Sequence, residues 1–219
     1  ALTFVIDTSG SMNMEGRLEL VKDSLKMLVD RLRPEDSVAI VEYGTQASVV
    51  LNPASVEDKN YILNAIYSLW PGGTTNVEDG LSLGYKLAAQ AYQPEYNNRV
   101  ILLSDGVANT GNTDPVQLVN MVREYTNSGF TLTTIGVGMG NFNDVLLETL
   151  ADKGNGNYAY IDNLDEAEKA LKAGLELAKD TSHYEVTASI YNRLGGVYYQ
   201  KEQIELASQY VQKSLALRE

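Results

Sequence analysis

The sequence predicts an α/β protein: a doubly wound, Rossmann-like sheet of six mostly parallel strands with one antiparallel edge strand, followed by an α-helical segment. Short apolar and β-branched runs alternate with helical periodicity as far as residue 163, which is typical of a sheet covered by helices on both faces. Two of the runs end in an aspartate, Asp7 and Asp105. Beyond residue 163 the strand pattern and the prolines stop, so two domains are expected, 1–163 and 164–219.

The first part of the chain holds three predicted strands and two predicted helices. A short turn separates the second strand from the third, so the two form a hairpin whose second strand lies antiparallel at an edge. Asn52 and Pro53 are expected to end that edge strand. In order, the elements are a strand at 2–6, a helix at 16–32, strands at 37–43 and 47–51, and a helix at 59–69.

The second part repeats the alternation and then becomes wholly helical. Asp114 followed by Pro115 is a helix start, since proline is favoured at the first helical position. In order, the elements are a helix at 77–91, a strand at 99–103, a helix at 114–128, strands at 130–137 and 158–161 around a helix at 144–153, and tail helices at 165–180, 184–200 and 203–218.

Composition excludes several kinds of site. The chain of 219 residues has no cysteine and a single histidine, His183, so disulfides and zinc thiolates are excluded. Its net charge is -12, and residues 1–163 hold 20 of the 29 acidic residues. Such a surface repels phosphates, so nucleic acid is not an expected partner. No apolar run approaches the about 20 residues of a membrane span.

Polar side chains gather where strands end. In an open α/β sheet ligands bind at the carboxyl ends of the strands, so Asp7 and Asp105 are expected to face one crevice. Two carboxylates repel each other there unless a cation lies between them. Hydroxyls near the crevice add neutral oxygen ligands. The set Asp7, Ser9, Ser11, Thr75 and Asp105 therefore predicts a hard divalent cation, Mg²⁺, with Mn²⁺ or Ca²⁺ as substitutes.

Each signal also has a plainer interpretation. A strand-to-helix turn with a serine N-cap would give the same residues after the first strand. Glycines 136, 138 and 140 do not complete a nucleotide-binding pattern, and close backbone packing after a strand explains them better. The choice of Thr75 over Thr74 rests on its place directly before Asn76 and the next helix.

These motifs resemble a von Willebrand factor A domain. The metal-ion-dependent adhesion site of that family combines Asp-x-Ser-x-Ser, a threonine in a second loop and an aspartate in a third. Here the pattern is met by Asp7, Ser9 and Ser11, by Thr75, and by Asp105. The resemblance covers about residues 1–163 and points to the bacterial branch labelled calcium-activated chloride channel-like.

The tail resembles a tetratricopeptide repeat over residues 184–219. The repeat pattern of a large residue, Leu-Gly, a tyrosine and an alanine is met by Tyr191, Leu194-Gly195, Tyr198 and Ala207. Such repeats stack on one another, and about three are needed for stability. Ala173 and Leu177 fit the second helix of a preceding, half-lost repeat. One and a half repeats are too few, so they are expected to lean on the first domain, on another copy, or on further repeats of a longer array.

The two resemblances imply a non-enzymatic scaffold or adhesion module. Bound Mg²⁺ would accept an Asp or Glu side chain from a partner protein, and the loops at 12–16, 107–113 and 138–143 would set specificity. The tail would be a second interaction surface or would drive self-association. A soluble bacterial protein, cytoplasmic or at the cell surface, is expected. Two alternatives stay open: a Mg²⁺-dependent hydrolase at the same site, and a vestigial metal site with an oligomerising tail.

Overall fold

A computed structural model describes residues 1–105, 110–111, 113–138, 144–161, 191, 194 and 204–216. The chain divides into two compact units, Ala1–Tyr160 and Ile161–Glu219. The first unit holds a six-stranded sheet, and its strand order is β3-β2-β1-β4-β5-β6. The strands are β1 Leu2–Asp7, β2 Ser37–Tyr43, β3 Ala47–Ser55, β4 Arg99–Ser104, β5 Thr131–Val137 and β6 Tyr158–Ile161.

The predicted doubly wound sheet is confirmed. Strand β1 is central and almost entirely buried, and it pairs in parallel with β2 on one side and with β4 on the other. Strand β5 pairs in parallel with β4, while β3 is antiparallel to β2 at an edge. Ile6 of β1 lies opposite Leu103 of β4. Asp7 and Asp105 therefore lie at the carboxyl ends of adjacent strands.

Helices cover the two faces of the sheet. They are α1 Arg17–Arg31, α2 Lys59–Tyr67, α3 Val77–Gln90, α4 Pro115–Asn127 and α5 Asp144–Lys153. One buried cluster holds side chains of α1 and α2, including Val21 and Ile62, and the other holds side chains of α3, α4 and α5, including Leu81. Side chains of β1 alternate between the clusters, as a strand buried on both faces requires.

The edge strand is longer than predicted. Asn52 and Pro53 do not end β3, which continues to Ser55. Proline cannot donate a ladder hydrogen bond, but an edge strand has one side with no neighbouring strand, where that loss is tolerated. The register between β2 and β3 also shifts twice between Val38 and Val41, so the pairing absorbs an irregularity that the sequence pattern does not show.

Local capping explains three helix starts. Asp114, at the N-cap of α4, accepts a hydrogen bond from the backbone of Val116 at 2.9 Å, which confirms the predicted start. Asp58 and Asn76 accept equivalent bonds at the starts of α2 and α3. Helix α1 begins at Arg17, because residues 10–16 form a 3₁₀ helix ahead of it. At seven residues this 3₁₀ helix is longer than most, because 3₁₀ runs beyond three or four residues are uncommon.

Two glycines allow close packing against strands. A Cβ added to Gly84 in α3 would lie 2.3 Å from Val5 Cγ2, so the helix approaches β1 more closely than any larger residue permits. A Cβ at Gly136 in β5 would lie 2.7 Å from the Tyr160 ring. The close-packing interpretation of Gly136 is therefore confirmed, whereas Gly140 lies outside the described residues.

Apart from Ile161, the last residue of β6, the described part of the second unit is helical. Helix α6, Ile204–Ala216, buries Ala207 and Ser214. Ring centroids of Tyr191 and Tyr210 are 6.0 Å apart, and Lys213 Nζ lies 4.9 Å from the Tyr210 ring centroid. The predicted third tail helix is confirmed. The tail helices predicted at 165–180 and 184–200 lie outside the described residues, apart from Tyr191 and Leu194, and the domain boundary at residue 163 stays a prediction.

Candidate metal centre

Asp7 is completely buried at the end of β1. Its Oδ1 accepts a hydrogen bond from the backbone N–H of Ser9 at 2.8 Å. Its Oδ2 accepts bonds from Ser104 Oγ at 2.8 Å and from the Tyr43 hydroxyl at 3.4 Å. Three residues, located at or just after the ends of three adjacent strands, therefore hold this carboxylate at one position.

The two predicted serines lie together beside Asp7. Ser9 is buried and Ser11 is half-buried, and their hydroxyl oxygens are 3.0 Å apart. Ser9 occupies the N-cap position of the 3₁₀ helix but makes no side-chain capping bond. The serine N-cap interpretation therefore does not account for its hydroxyl.

Backbone hydrogen bonds bring the second loop to the first. Gly10 N donates to Gly73 O at 3.0 Å, and Gly72 N donates to Thr8 O at 2.6 Å. In this loop Thr75 is buried, whereas Thr74 is exposed and its hydroxyl lies 3.3 Å from Thr45 Oγ1. Thr75 is thus buried in the loop that bonds to the first loop whereas Thr74 is exposed, and the choice of Thr75 as a ligand stays a prediction.

Asp105, the predicted third-loop residue, is buried directly after β4. Its Oδ2 accepts a hydrogen bond from Arg17 Nη1 at 3.1 Å, and both side chains of this ion pair are almost fully buried. Sequence reasoning missed Arg17 because it lies 88 residues from Asp105. A basic residue soon after the serine-rich turn was the available signal.

Tyr43 and Ser104 were missed as well. Each is the last residue of a strand beside β1. The carboxyl ends of neighbouring parallel strands lie side by side, and ligands bind there. The rule that selected the two aspartates therefore also applies to Tyr43 and Ser104. Their polar atoms within otherwise apolar runs were the signal.

Comparisons with known proteins identify the family. The family model of the von Willebrand factor type A domain matches residues 1–173, and a tetratricopeptide repeat model matches residues 156–219. The chain belongs to the von Willebrand factor type A domain family. Both predicted resemblances are thereby confirmed.

Bacterial relatives share both sequence and fold with this A domain. Uncharacterized protein YfbK of Escherichia coli K12 is 40% identical over 94% of the chain, and Synechocystis protein sll0103 is 32% identical over 76%. The chain spans 37% and 38% of the lengths of these two relatives. The crystal structure of BatB from Bacteroides thetaiotaomicron matches with a TM-score of 0.62 and 19% identity, covering 82% of this chain and 98% of BatB, which shows the shared fold.

The electrostatics of the A domain's crevice disfavour two free carboxylates. Burial raises the pKa of Asp7 to about 6, and the negative charge of Asp105 adds to this effect. Hydrogen bonds from Ser9 and Ser104 act in the opposite direction. Burial, together with the charge of Asp7, raises the pKa of the Tyr43 hydroxyl well above its ordinary value, so Tyr43 remains a proton donor to Asp7.

We expect the metal-free A domain to lose stability as pH rises from about 4 to 6. The folded pKa of Asp7, about 6, exceeds its ordinary value of 3.8, so between these values the folded state binds more protons than the unfolded state. The free energy of unfolding then falls with pH, by at most about 3 kcal/mol at about 1.4 kcal/mol per pKa unit. Urea unfolding in EDTA at several pH values measures this slope.

An Asp7→Asn variant is the control, because it should lack this part of the pH dependence. The expectation is wrong if the wild-type and variant curves stay parallel between pH 4 and 6.

The residues present fit a hard divalent cation. No three His, Cys, Asp or Glu side chains converge within the part of the chain that the structure describes. The described residues therefore do not form the nitrogen- or thiolate-rich kind of site that softer metal ions prefer. The crevice instead combines two buried carboxylates with serine and threonine hydroxyls. Such oxygen donors suit Mg²⁺, Mn²⁺ or Ca²⁺, and a cation would offset the burial of Asp7.

Proposed function

We propose that this A domain is a divalent-cation-dependent protein-binding module and not an enzyme. The residues that would hold the cation are Asp7, Ser9, Ser11, Thr75 and Asp105. The cation, Mg²⁺ or alternatively Mn²⁺ or Ca²⁺, would supply an open coordination position for an Asp or Glu side chain of a partner protein. The tetratricopeptide-like segment would be a second interaction or assembly surface.

One observation carries the proposal: a fully buried carboxylate lies at the carboxyl end of β1, beside β4, and a backbone N–H and two hydroxyls fix its orientation. Asp7 is hydrogen-bonded by residues of its own loop and of both neighbouring strands. An isolated buried carboxylate is costly, and the raised pKa of Asp7 expresses that cost. A bound cation would remove it.

Exposed apolar side chains close in sequence to the site loops support a protein partner. Trp70, the single tryptophan of the chain, is 81% exposed and lies two residues before Gly72, which bonds to the first loop. Met14, in the 3₁₀ helix that follows Ser9, is 52% exposed. Aromatic residues and methionine are enriched at protein interfaces. The other two predicted specificity loops, 107–113 and 138–143, lie largely outside the described residues.

The structure describes no helix, within the ranges it covers, that is both long and apolar enough to cross a bilayer.

Replacing the two threonines of the second loop one at a time tests which of them binds the metal. We expect Thr75→Val to weaken Mn²⁺ binding by about 10- to 100-fold, the range seen when groups that support a metal site are lost. Thr74→Val, an identical change at an exposed neighbour, is expected to leave the dissociation constant within about twofold, because surface changes away from a site have small effects. Calorimetric titration of Mn²⁺ into metal-stripped protein measures both.

The open coordination position has a direct test. Bound Mn²⁺ enhances the relaxation of exchanging water protons, and acetate should reduce that enhancement if a carboxylate displaces a bound water. We expect the reduction in wild-type protein and no specific enhancement in Asp7→Ala. Saturable Mn²⁺ binding that acetate does not affect would contradict the partner carboxylate, and equal binding by Asp7→Ala would contradict the site itself.

A further inference from the structure

Arg17 is a buried cation beside the candidate metal site. It is the first residue of α1, its side chain is 6% exposed, and its Nη1 donates to Asp105 Oδ2 at 3.1 Å. Asp105 is one of the five residues that the proposed function assigns to the cation. A permanent positive charge therefore contacts a carboxylate that would also bind a divalent cation.

The fold leaves a specific place for this guanidinium. Gly138, directly after β5, has φ +97°, and a Cβ there would lie 2.3 Å from Arg17 Nε. The carbonyl of Gly138 accepts a hydrogen bond from the Tyr160 hydroxyl. This bond holds the Gly138 backbone, against which the Arg17 side chain packs, in place. Packing thus directs the charge toward Asp105 and holds it inside the domain.

Two cations that share one carboxylate repel each other. Without metal, the guanidinium compensates the buried charge of Asp105, and a buried ion pair is strongly destabilised when one partner is removed. With metal, the same guanidinium lies close to a second, divalent positive charge. Charges a few ångströms apart interact more strongly in a partly buried site than in water, so this repulsion would weaken metal binding.

We propose that Arg17 is the internal counter-ion of Asp105 and that it competes with the divalent cation for this carboxylate. The inference rests on the proposed function, since it concerns the affinity of the same site. Arg17 stabilises the metal-free A domain and weakens metal binding, so that the cation is held exchangeably. Arg17 is therefore a residue that tunes the site and not a ligand of the metal.

Neutral substitutions of Arg17 test the inference. In Arg17→Met we expect Mg²⁺ and Mn²⁺ to bind at least about tenfold tighter than in wild-type protein, because a repulsive charge is lost. The melting temperature in EDTA should fall, and the rise in melting temperature on adding Mg²⁺ should be larger than in wild-type protein. Arg17→Lys, which keeps the charge, should bind metal with close to wild-type affinity.

Two further variants guard against a folding defect or a general charge effect. Arg17→Gln removes the charge but keeps N–H donors for Asp105, so it serves if the methionine variant does not fold in EDTA. Arg33→Gln removes an arginine that pairs with Asp36 on the surface, and we expect unchanged metal affinity.

The outcomes separate this inference from the proposed function. Tighter binding in the neutral variants, with a lower metal-free melting temperature, supports the role of Arg17. Equal or weaker binding in the neutral variants, while wild-type protein binds metal saturably, overturns the role of Arg17 and leaves the metal site standing. If neither the wild-type protein nor any Arg17 variant binds metal, the proposed function fails, and the inference fails with it.

Discussion

Asp7→Asn is expected to abolish saturable Mg²⁺ binding and, at the same time, to make the metal-free A domain more stable at neutral pH. The dissociation constant should rise at least about 100-fold, since loss of a supporting group alone costs 10- to 100-fold. The free energy of unfolding in EDTA should rise by up to about 3 kcal/mol, because the buried carboxylate, whose pKa is raised to about 6, no longer has to ionise at about 1.4 kcal/mol per pKa unit.

The existing hydrogen bonds allow this substitution. The side-chain carbonyl of asparagine can accept the Ser9 N–H, and its amide group can donate to the hydroxyls of Ser104 and Tyr43, which also act as acceptors. Calorimetric titration measures the loss of Mg²⁺ binding, and urea unfolding in EDTA measures the gain in stability. A variant that binds metal well but is more stable would show that Asp7 is not a ligand.

Asp58→Asn is the matched control. Asp58 is the exposed N-cap of α2, and asparagine is an equally good N-cap. The same acid-to-amide change should therefore alter neither stability nor metal binding. A metal-free Asp7→Asn protein that is less stable than wild type would contradict the raised pKa as a stability cost.

Gly84→Ala is expected to destabilise the A domain by about 3 kcal/mol or more, the upper range for overpacking a core. Alanine normally stabilises a helix interior by about 1 kcal/mol relative to glycine, so the sign is opposite to the helix propensity. The reason is steric, because the new Cβ would lie 2.3 Å from Val5 Cγ2. Urea unfolding gives the free energy.

Two companion variants show whether contact with Val5 causes the loss. Ser82→Ala lies in the same helix but is only half-buried, and we expect a change within about 0.5 kcal/mol. In a Val5→Ala background, Gly84→Ala should cost much less, because the clashing methyl group is gone. A full cost that persists in this background would place the strain elsewhere.

Much of the fold follows from local pattern, and the exceptions have non-local causes. The predicted bounds of β2, α5 and β6 coincide with those of the structure, since each is a clear run between turn residues. β3 was predicted to lie at an edge, where proline is tolerated, but its extension through Pro53 was missed. Proline usually ends a strand, and whether its missing N–H lies on the unpaired side depends on the register with β2, which shifts irregularly here.

The candidate site was predicted from one rule of sheet topology together with the spacing of a family motif. Asp7 and Asp105 were found because they follow buried runs, and β1 and β4 are indeed neighbours. Whether Asp7, Ser9, Ser11, Thr75 and Asp105 bind a cation stays a prediction. The sequence offers Arg17 as a basic residue soon after the serine-rich turn, but its contact with Asp105 depends on where α1 begins and on how Gly138 leaves room for it.

The irregular edge strand also bears on how the protein avoids aggregation. An exposed strand edge is a template for pairing with another chain, and proteins block it with proline, bulges or very short strands. Here β3 carries Pro53 within a pairing whose register is irregular, and β6, at the opposite end of the strand order, has four residues. Both borders of the sheet are thus poor templates for pairing with the sheet of another copy of the chain.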